Sequence, residues 1–204
     1  MNDENLKEIT LSNKSKLFII ENAIPENQSN KYLHSLINGV SWYRDRYNFN
    51  GKITFSPRLI DYQGLHNYRY SGINHSPKPY HYYVSSIVEI IASLCEQNDI
   101  NIDGLNGCVL NYYRNGHDSI SMHSDDEPCL ILTTPIVGVS LGATRKMVFR
   151  SKITNKTHGV CLPNGSIYIM YGRDFQKEFL HGVPKELHVR DPRVSLTFRN
   201  FKGV

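Results

Sequence analysis

The strongest constraint on this chain is an unbroken alternation near its C-terminal end. In Arg193-Val194-Ser195-Leu196-Thr197-Phe198-Arg199 polar and apolar residues take turns at every step. Successive side chains of a strand point to opposite faces, so Val194, Leu196 and Phe198 share one side and two arginines with two hydroxyls share the other. Such a polar face belongs either in water or in a lined pocket, because a buried guanidinium is costly unless an anion meets it. Asn111 and Tyr113 alternate with Leu110 and Tyr112 in the same manner. If both polar faces line the interior of one sheet assembly, they form a pocket.

The rest of the C-terminal half reads as short strands over residues 108–113, 120–123, 136–141, 146–150, 160–162, 166–170, 179–181 and 193–200, with turns at Asn115-Gly116, Leu141-Gly142 and Asn164-Gly165. Residues 17–20 form an earlier strand, and 52–55 and 68–70 read as hairpin segments. Pro25 opens a helix with Tyr32, Leu33, Leu36 and Ile37 as its apolar stripe. A second helix follows Pro79, with Ile87, Ile90, Ile91 and Leu94 at helical spacing. About eight strands after two helices predict an α+β, mainly β fold: a double-stranded β-helix (jelly-roll) core with N-terminal helices packed outside. Residues 1–15 read as a flexible leader, and 16–204 as a single domain.

Composition narrows the classes. Four scattered cysteines with no CxxC pair argue against a zinc ribbon or dithiol redox motif and suit reduced thiols inside a cell. The polar N-terminus lacks a signal-peptide core, and no run is long and apolar enough for a bilayer, so we expect an intracellular protein, nuclear or cytoplasmic, without membrane attachment. A net charge of +4 permits a nucleic acid partner without demanding one.

His123-Ser124-Asp125 places a His and an Asp two apart, on one face of an extended chain, and His181 lies on a distant predicted strand that a jelly-roll can bring alongside. Two histidines and one carboxylate on one face of a metal leave positions open, which suits non-haem Fe(II) oxygen chemistry. Catalytic zinc uses similar sets and is the main competing metal. The arginines favour iron with an anionic, metal-chelating cosubstrate held by Arg193 and Arg199, with Asn111, Tyr113 and Thr197 donating hydrogen bonds. The dicarboxylate that fits is 2-oxoglutarate.

These segments resemble the AlkB family. The similarity runs through Asn111-Tyr112-Tyr113-Arg114-Asn115-Gly116, His123-Ser124-Asp125-Asp126-Glu127, Pro135-Ile136-Val137-Gly138-Val139-Ser140-Leu141-Gly142-Ala143 and the strand from Arg193 to Arg199, in family order. Phe149-Arg150 and Pro57-Arg58 are most similar to the animal-type DNA repair members. The resemblance implies an Fe(II)- and 2-oxoglutarate-dependent dioxygenase that oxidatively demethylates N-alkylated bases in DNA, or RNA, releasing succinate and formaldehyde. It implies iron held by His123, Asp125 and His181, and 2-oxoglutarate contacted by Asn111, Tyr113, Arg193, Thr197 and Arg199, with O₂ as co-reactant. No catalytic residue beyond the metal centre is implied. The domain would divide into helices and substrate-recognition hairpins over 16–106 and a catalytic core over 107–204. The target base would be flipped into the pocket, stacked by Tyr70 against His123, with Tyr68 and Asp126 at its polar edge. The implied partner is alkylated DNA or RNA, met by a monomer. The hairpin tip at Phe49 would supply an apolar wedge, although its flanking asparagines are more polar than a duplex wedge requires, which leaves single-stranded DNA or RNA open. Rival readings are the same core acting on a protein or a small molecule, and an inert nucleic-acid-binding module.

Overall fold

The alternation of β15 (Arg193–Arg199) decides the architecture, because its two faces meet different neighbours. In this computed structural model, which describes residues 6–49, 51–102 and 104–203, β15 lies inside a seven-stranded sheet. The order is β1 (Leu6–Thr10), β2 (Lys16–Ile20), β13 (Ser166–Tyr171), β10 (Ile136–Gly142), β15, β8 (Gly107–Tyr113) and β5 (Leu59–Gly64). A four-stranded sheet, β12 (Thr157–Leu162), β11 (Arg145–Ser151), β14 (Phe179–Val183) and β9 (Ile120–His123), packs against it. Neighbouring strands are antiparallel throughout both sheets. This is the jelly-roll that the strand pattern predicts.

The apolar face of β15 packs with Val137, Val139 and Leu141 of β10 and with Ile167 and Ile169 of β13 beneath two helices, α1 (Glu26–Gly39) and α2 (Tyr82–Gln97). Those helices contribute Leu33, Leu36, Val84, Ile87 and Ile91, each buried aliphatic side chain stabilising the fold by roughly 1.5–3 kcal/mol. The second helix turns Cys95 and Val84 inward with Ile87 and Ile91, while Ile90 and Leu94 sit at the edge of that stripe. With the helices covering one face, the polar side of β15 is directed between the two sheets. Gly138 serves the same interior: a Cβ there would fall 2.0 Å from the ring of Tyr168, its cross-strand partner on β13, so only glycine lets that ring cross the sheet.

Two separate hairpins complete the fold, β3 (Arg46–Phe49) with β4 (Lys52–Phe55) and β6 (Tyr68–Tyr70) with β7 (Ile73–His75). Three features differ from the sequence expectation. Leu6–Thr10 does not belong to a loose leader: it pairs with β2 in the register Leu6↔Ile20 as a half-exposed edge strand, its Lys7 and Glu8 concealing the pattern. Residues 1–5 lie outside the described residues. The six-residue β5 has no counterpart among the predicted strands, since Asp61 and Gln63 interrupt it. Both are nonetheless buried and satisfied, Asp61 by the Lys78 ammonium and Gln63 by accepting the His81 N–H at 2.8 Å. A single-turn α3 (Phe175–Glu178) precedes β14. Among the described residues no helix is long and apolar enough to cross a membrane.

Candidate metal centre and cosubstrate pocket

β9 ends at His123, and β14 carries His181 directly opposite. The pairing of these strands shifts register between His181 and Val183, an irregularity of the kind that re-aims side chains beside active sites. The two imidazole centroids are 4.4 Å apart. Asp125, beyond the strand end, is held by its backbone N–H donating to Gln176 Oε1 at 2.9 Å. Its Oδ1 is 3.6 Å from His123 Nε2 and its Oδ2 is 3.6 Å from His181 Nε2. One donor atom from each residue lies within 4.8 Å of the others, so His123, Asp125 and His181 could hold one metal ion.

The donor set fits such an ion. His123 Nδ1 lies 2.9 Å from the Ser121 carbonyl oxygen, which favours the tautomer with its proton there and a lone pair on Nε2. Neither Asp125 oxygen accepts a well-formed hydrogen bond among the described residues, although Arg199 Nη2 lies 2.8 Å from Oδ2. Burial pushes the Asp125 carboxyl up, but Arg199 and the two imidazoles outweigh it and hold it well below the usual carboxylate range. Burial, then the neighbouring His123, lowers His181 to about 3, and burial lowers His123 as well. All three residues therefore stand in the protonation states that ligate metals.

Next to the cluster, the polar faces of β8 and β15 supply Asn111, Tyr113, Arg193, Ser195, Thr197 and Arg199 to one cavity. Arg193 is 1% exposed and donates from Nε to Ser140 Oγ at 2.8 Å, with its guanidinium 5.2 Å from the Tyr113 ring centre. Its Nη1, and Nε and Nη1 of Arg199, are buried without hydrogen-bond partners among the described residues. Unsatisfied buried donors of this kind are costly and match a carboxylate ligand. Asn111 is oriented by Arg58, whose Nε donates to its Oδ1 at 2.5 Å. Arg199 also has a role that the alternation does not reveal, the ion pair with Asp125.

The outer part of the cavity is aromatic. Tyr70 and His123 line it with ring centroids 6.4 Å apart, and Tyr68 stands deeper, 6.0 Å from the Arg199 guanidinium. Asp126 does not join them: its side chain is 60% exposed and lies 3.9 Å from Lys152. Glu127 takes the inward position instead, with Oε1 3.5 Å from the Tyr68 hydroxyl. Burial and then Asp125 raise its carboxyl to about 7. Burial alternates here, with Asp125 and Glu127 turned inward and Asp126 exposed, and the turn comes only at 128–129, so the period that aligns 123 with 125 also selects 127 over 126. Tyr43, Asp45, Arg58, His75 and Tyr168 also line the cavity without having been read as site residues; of these only Arg58 stood in a segment with a sequence signal. The side chain of Phe49 and residue Asn50, where the wedge is expected, lie outside the described residues.

A jelly-roll that gathers a His-x-Asp, a facing His and an inward arginine strand defines a non-haem iron oxygenase with a carboxylate cosubstrate. The family profile described as "2OG-Fe(II) oxygenase superfamily" matches residues 16–199. The human alpha-ketoglutarate-dependent dioxygenase alkB homolog 3 is 33% identical over 208 aligned residues, covering 96% of this chain and 70% of that protein. Human DNA oxidative demethylase ALKBH2 is 34% identical across 65% of this chain and 51% of its own length. The solved structure of OsALKBH1 superposes with a TM-score of 0.61 at 17% identity, covering 90% of this chain and 97% of that one, a likeness of fold. The chain belongs to the 2OG-Fe(II) oxygenase superfamily and, within it, to the AlkB family. Fe(II), 2-oxoglutarate and O₂ are accordingly its cofactors.

Proposed function

We propose that this chain oxidatively demethylates N-alkylated bases in DNA, with RNA as the closest alternative polymer. The observation that carries the reading is the continuity of one cavity, which runs from the Tyr70 ring past His123 to the His123–Asp125–His181 cluster and the Arg193 guanidinium. A base between Tyr70 and His123 would present an N-alkyl group to the metal face, as the names of the AlkB relatives suggest.

His123, Asp125 and His181 would hold Fe(II). Arg193 would take a carboxylate of 2-oxoglutarate through its free Nη1, with Asn111, Tyr113, Thr197 and Arg199 completing the contacts. When bound, iron with 2-oxoglutarate and O₂ supplies the oxidation of the alkyl C–H bond. The protein's own residues position the base and exclude water. Tyr70 stacks, Tyr68 backs the pocket, and Glu127 faces the polar edge in place of Asp126. The Tyr70 and His123 rings now stand at 79°. A base sandwiched at ordinary contact distances needs near-parallel rings roughly 7 Å apart, so Tyr70 must rotate as the base enters. We further propose that the enzyme works as a monomer inside the cell.

Incubation of the protein with iron, ascorbate and 2-oxoglutarate on methylated single- and double-stranded DNA and RNA, read by mass, tests this. Loss of a methyl mass with matching succinate is expected. Coupled 2-oxoglutarate turnover on another substrate, with every oligonucleotide unchanged, would overturn the reading.

A further inference from the structure

Asp45, the residue that precedes the β3–β4 hairpin, lines the cavity together with Tyr68, Tyr70 and His75 of the β6–β7 hairpin, and a row of buried polar side chains runs between the two. His75 is the cross-strand partner of Tyr68 in the β6–β7 hairpin, and the two rings stack at 5.4 Å and 27°. The other side of the imidazole is fixed from outside that hairpin. Its Nδ1 lies 2.8 Å from the Tyr43 hydroxyl, and Tyr43 is bridged by its backbone to Ile60 of β5 through bonds of 3.1 and 2.8 Å. Burial pushes the Tyr43 phenol up, so it stays protonated. In the tautomer in which Tyr43 donates to Nδ1, Nε2 carries the His75 proton, and Asp45 Oδ2 lies 3.8 Å from it, beyond hydrogen-bond range. Asp45 introduces the β3–β4 hairpin: its carbonyl accepts the Ser56 N–H at 2.9 Å, and its carboxylate accepts the Tyr47 hydroxyl at 3.3 Å. The His75 and Asp45 side chains are 4% and 3% exposed.

We infer that Tyr43, His75 and Asp45 form a buckle that fastens the β6–β7 hairpin to the β3–β4 hairpin and sets the position of Tyr68, making His75 a positioning residue for the substrate base. A histidine needed only for packing would have no reason to meet a buried carboxylate. An apolar side chain could fill the space behind Tyr68, but it would leave the buried Asp45 short of a cation or donor. The gap between Nε2 and Oδ2 is a few tenths of an ångström beyond hydrogen-bond range, so a small inward movement of either hairpin closes it into a charge-assisted bond. The two hairpins then move as one wall of the cavity. The base-positioning half of this inference rests on the proposed function; the mechanical half does not.

The test compares wild type, His75→Leu, His75→Gln and Asp45→Asn by hydrogen exchange on the full chain and by kinetics on the best methylated oligonucleotide. His75→Leu should speed exchange about tenfold or more over residues 44–56, some twenty residues away in sequence, while β8 and β15 remain protected. His75→Gln keeps an acceptor for Tyr43 and a donor toward Asp45 and should restore most of that protection. Kinetically, His75→Leu should raise the oligonucleotide KM about tenfold, with kcat within about twofold and the 2-oxoglutarate KM unchanged. Asp45→Asn combined with His75→Leu in one further variant should add little to His75→Leu alone, because both cut the same link. Faster exchange confined to residues 68–75 would overturn the buckle, and so would parallel losses in kcat and both KM values. A wild type inactive on every oligonucleotide would sink the proposed function, and the exchange pattern would still decide whether the hairpins are fastened.

Discussion

Arg199 Nη2 lies 2.8 Å from Asp125 Oδ2, so the last arginine of the inward-facing strand is tied to the carboxylate of the metal cluster. Both groups are almost fully buried, and each answers the other's charge. Removing one partner of such a pair strands the other and costs about 3–5 kcal/mol. Arg199→Ala should lower the stability of the metal-free protein by about that amount. Added Mn²⁺, a redox-quiet stand-in for Fe(II), should then stabilise the variant more than the wild type, since the ion replaces the missing positive charge. Thermal unfolding with and without Mn²⁺ reads this. An equal metal-induced shift in both proteins would mean that Arg199 does not compensate Asp125.

Arg193 has the opposite balance. It touches no member of the cluster, and it presents a buried N–H without a partner to the cavity. Lysine cannot reproduce both its bond to Ser140 and its stacking on Tyr113. Arg193→Lys should therefore raise the 2-oxoglutarate KM roughly 30- to 150-fold, the equivalent of about 2–3 kcal/mol for a charge-assisted contact. Metal affinity should stay the same. A cosubstrate dependence that does not move would assign the dicarboxylate to another residue.

What the sequence made legible is the part that strand alternation alone determines. Arg193, Thr197 and Arg199 share a face by period two, as do Asn111 and Tyr113, and each strand keeps its register with a neighbour over at least five residues. The facing of His123 and His181 depends on the irregular pairing of β9 and β14, which no local pattern encodes. Asp61 and Gln63 hid β5 because their partners, Lys78 and the His81 backbone, come from a later segment. The choice between Asp126 and Glu127 follows the period-two alternation from His123 and Asp125. The resemblance pointed to Asp126, whereas Glu127 is the carboxyl that approaches Tyr68.

Stability toward acid should carry the signature of Asp118, in the loop that leads into β9. Its buried carboxylate receives Arg114 Nε and Nη2, each at 2.8 Å, and the Arg114 backbone N–H at 2.9 Å. Burial raises the carboxyl, but these hydrogen bonds outweigh it and the net shift is downward. A depressed carboxyl stabilises the fold above its unfolded value of about 3.9, and that contribution disappears as pH falls through the folded value. Arg114 is partly solvated, so the pair contributes only about 1 kcal/mol. Asp118→Asn should cost about that much at pH 7, with its stability curve converging on wild type in strong acid. Urea unfolding across pH 7 to 2 measures the gap. A constant gap would mean that the side chain acts by shape and not by charge.

In the proposed function, Tyr70 separates base binding from oxidant formation. Its ring lines the cavity 6.4 Å from the His123 ring and 6.0 Å from that of Tyr68. An alanine there removes one wall of the base sandwich, an interaction of about 1–3 kcal/mol. The cosubstrate pocket and the His123–Asp125–His181 cluster keep their contacts with one another. Tyr70→Ala should therefore weaken binding of a methylated oligonucleotide roughly 5- to 150-fold, while decarboxylation of 2-oxoglutarate without substrate stays within about twofold of wild type. The ratio of succinate to formaldehyde should rise, because more oxidant is formed without a base in reach. Equal losses in oligonucleotide binding and in substrate-free decarboxylation would make Tyr70 a packing residue for the β6–β7 hairpin. The preserved decarboxylation is the decisive half of the measurement, since a damaged fold would lower both.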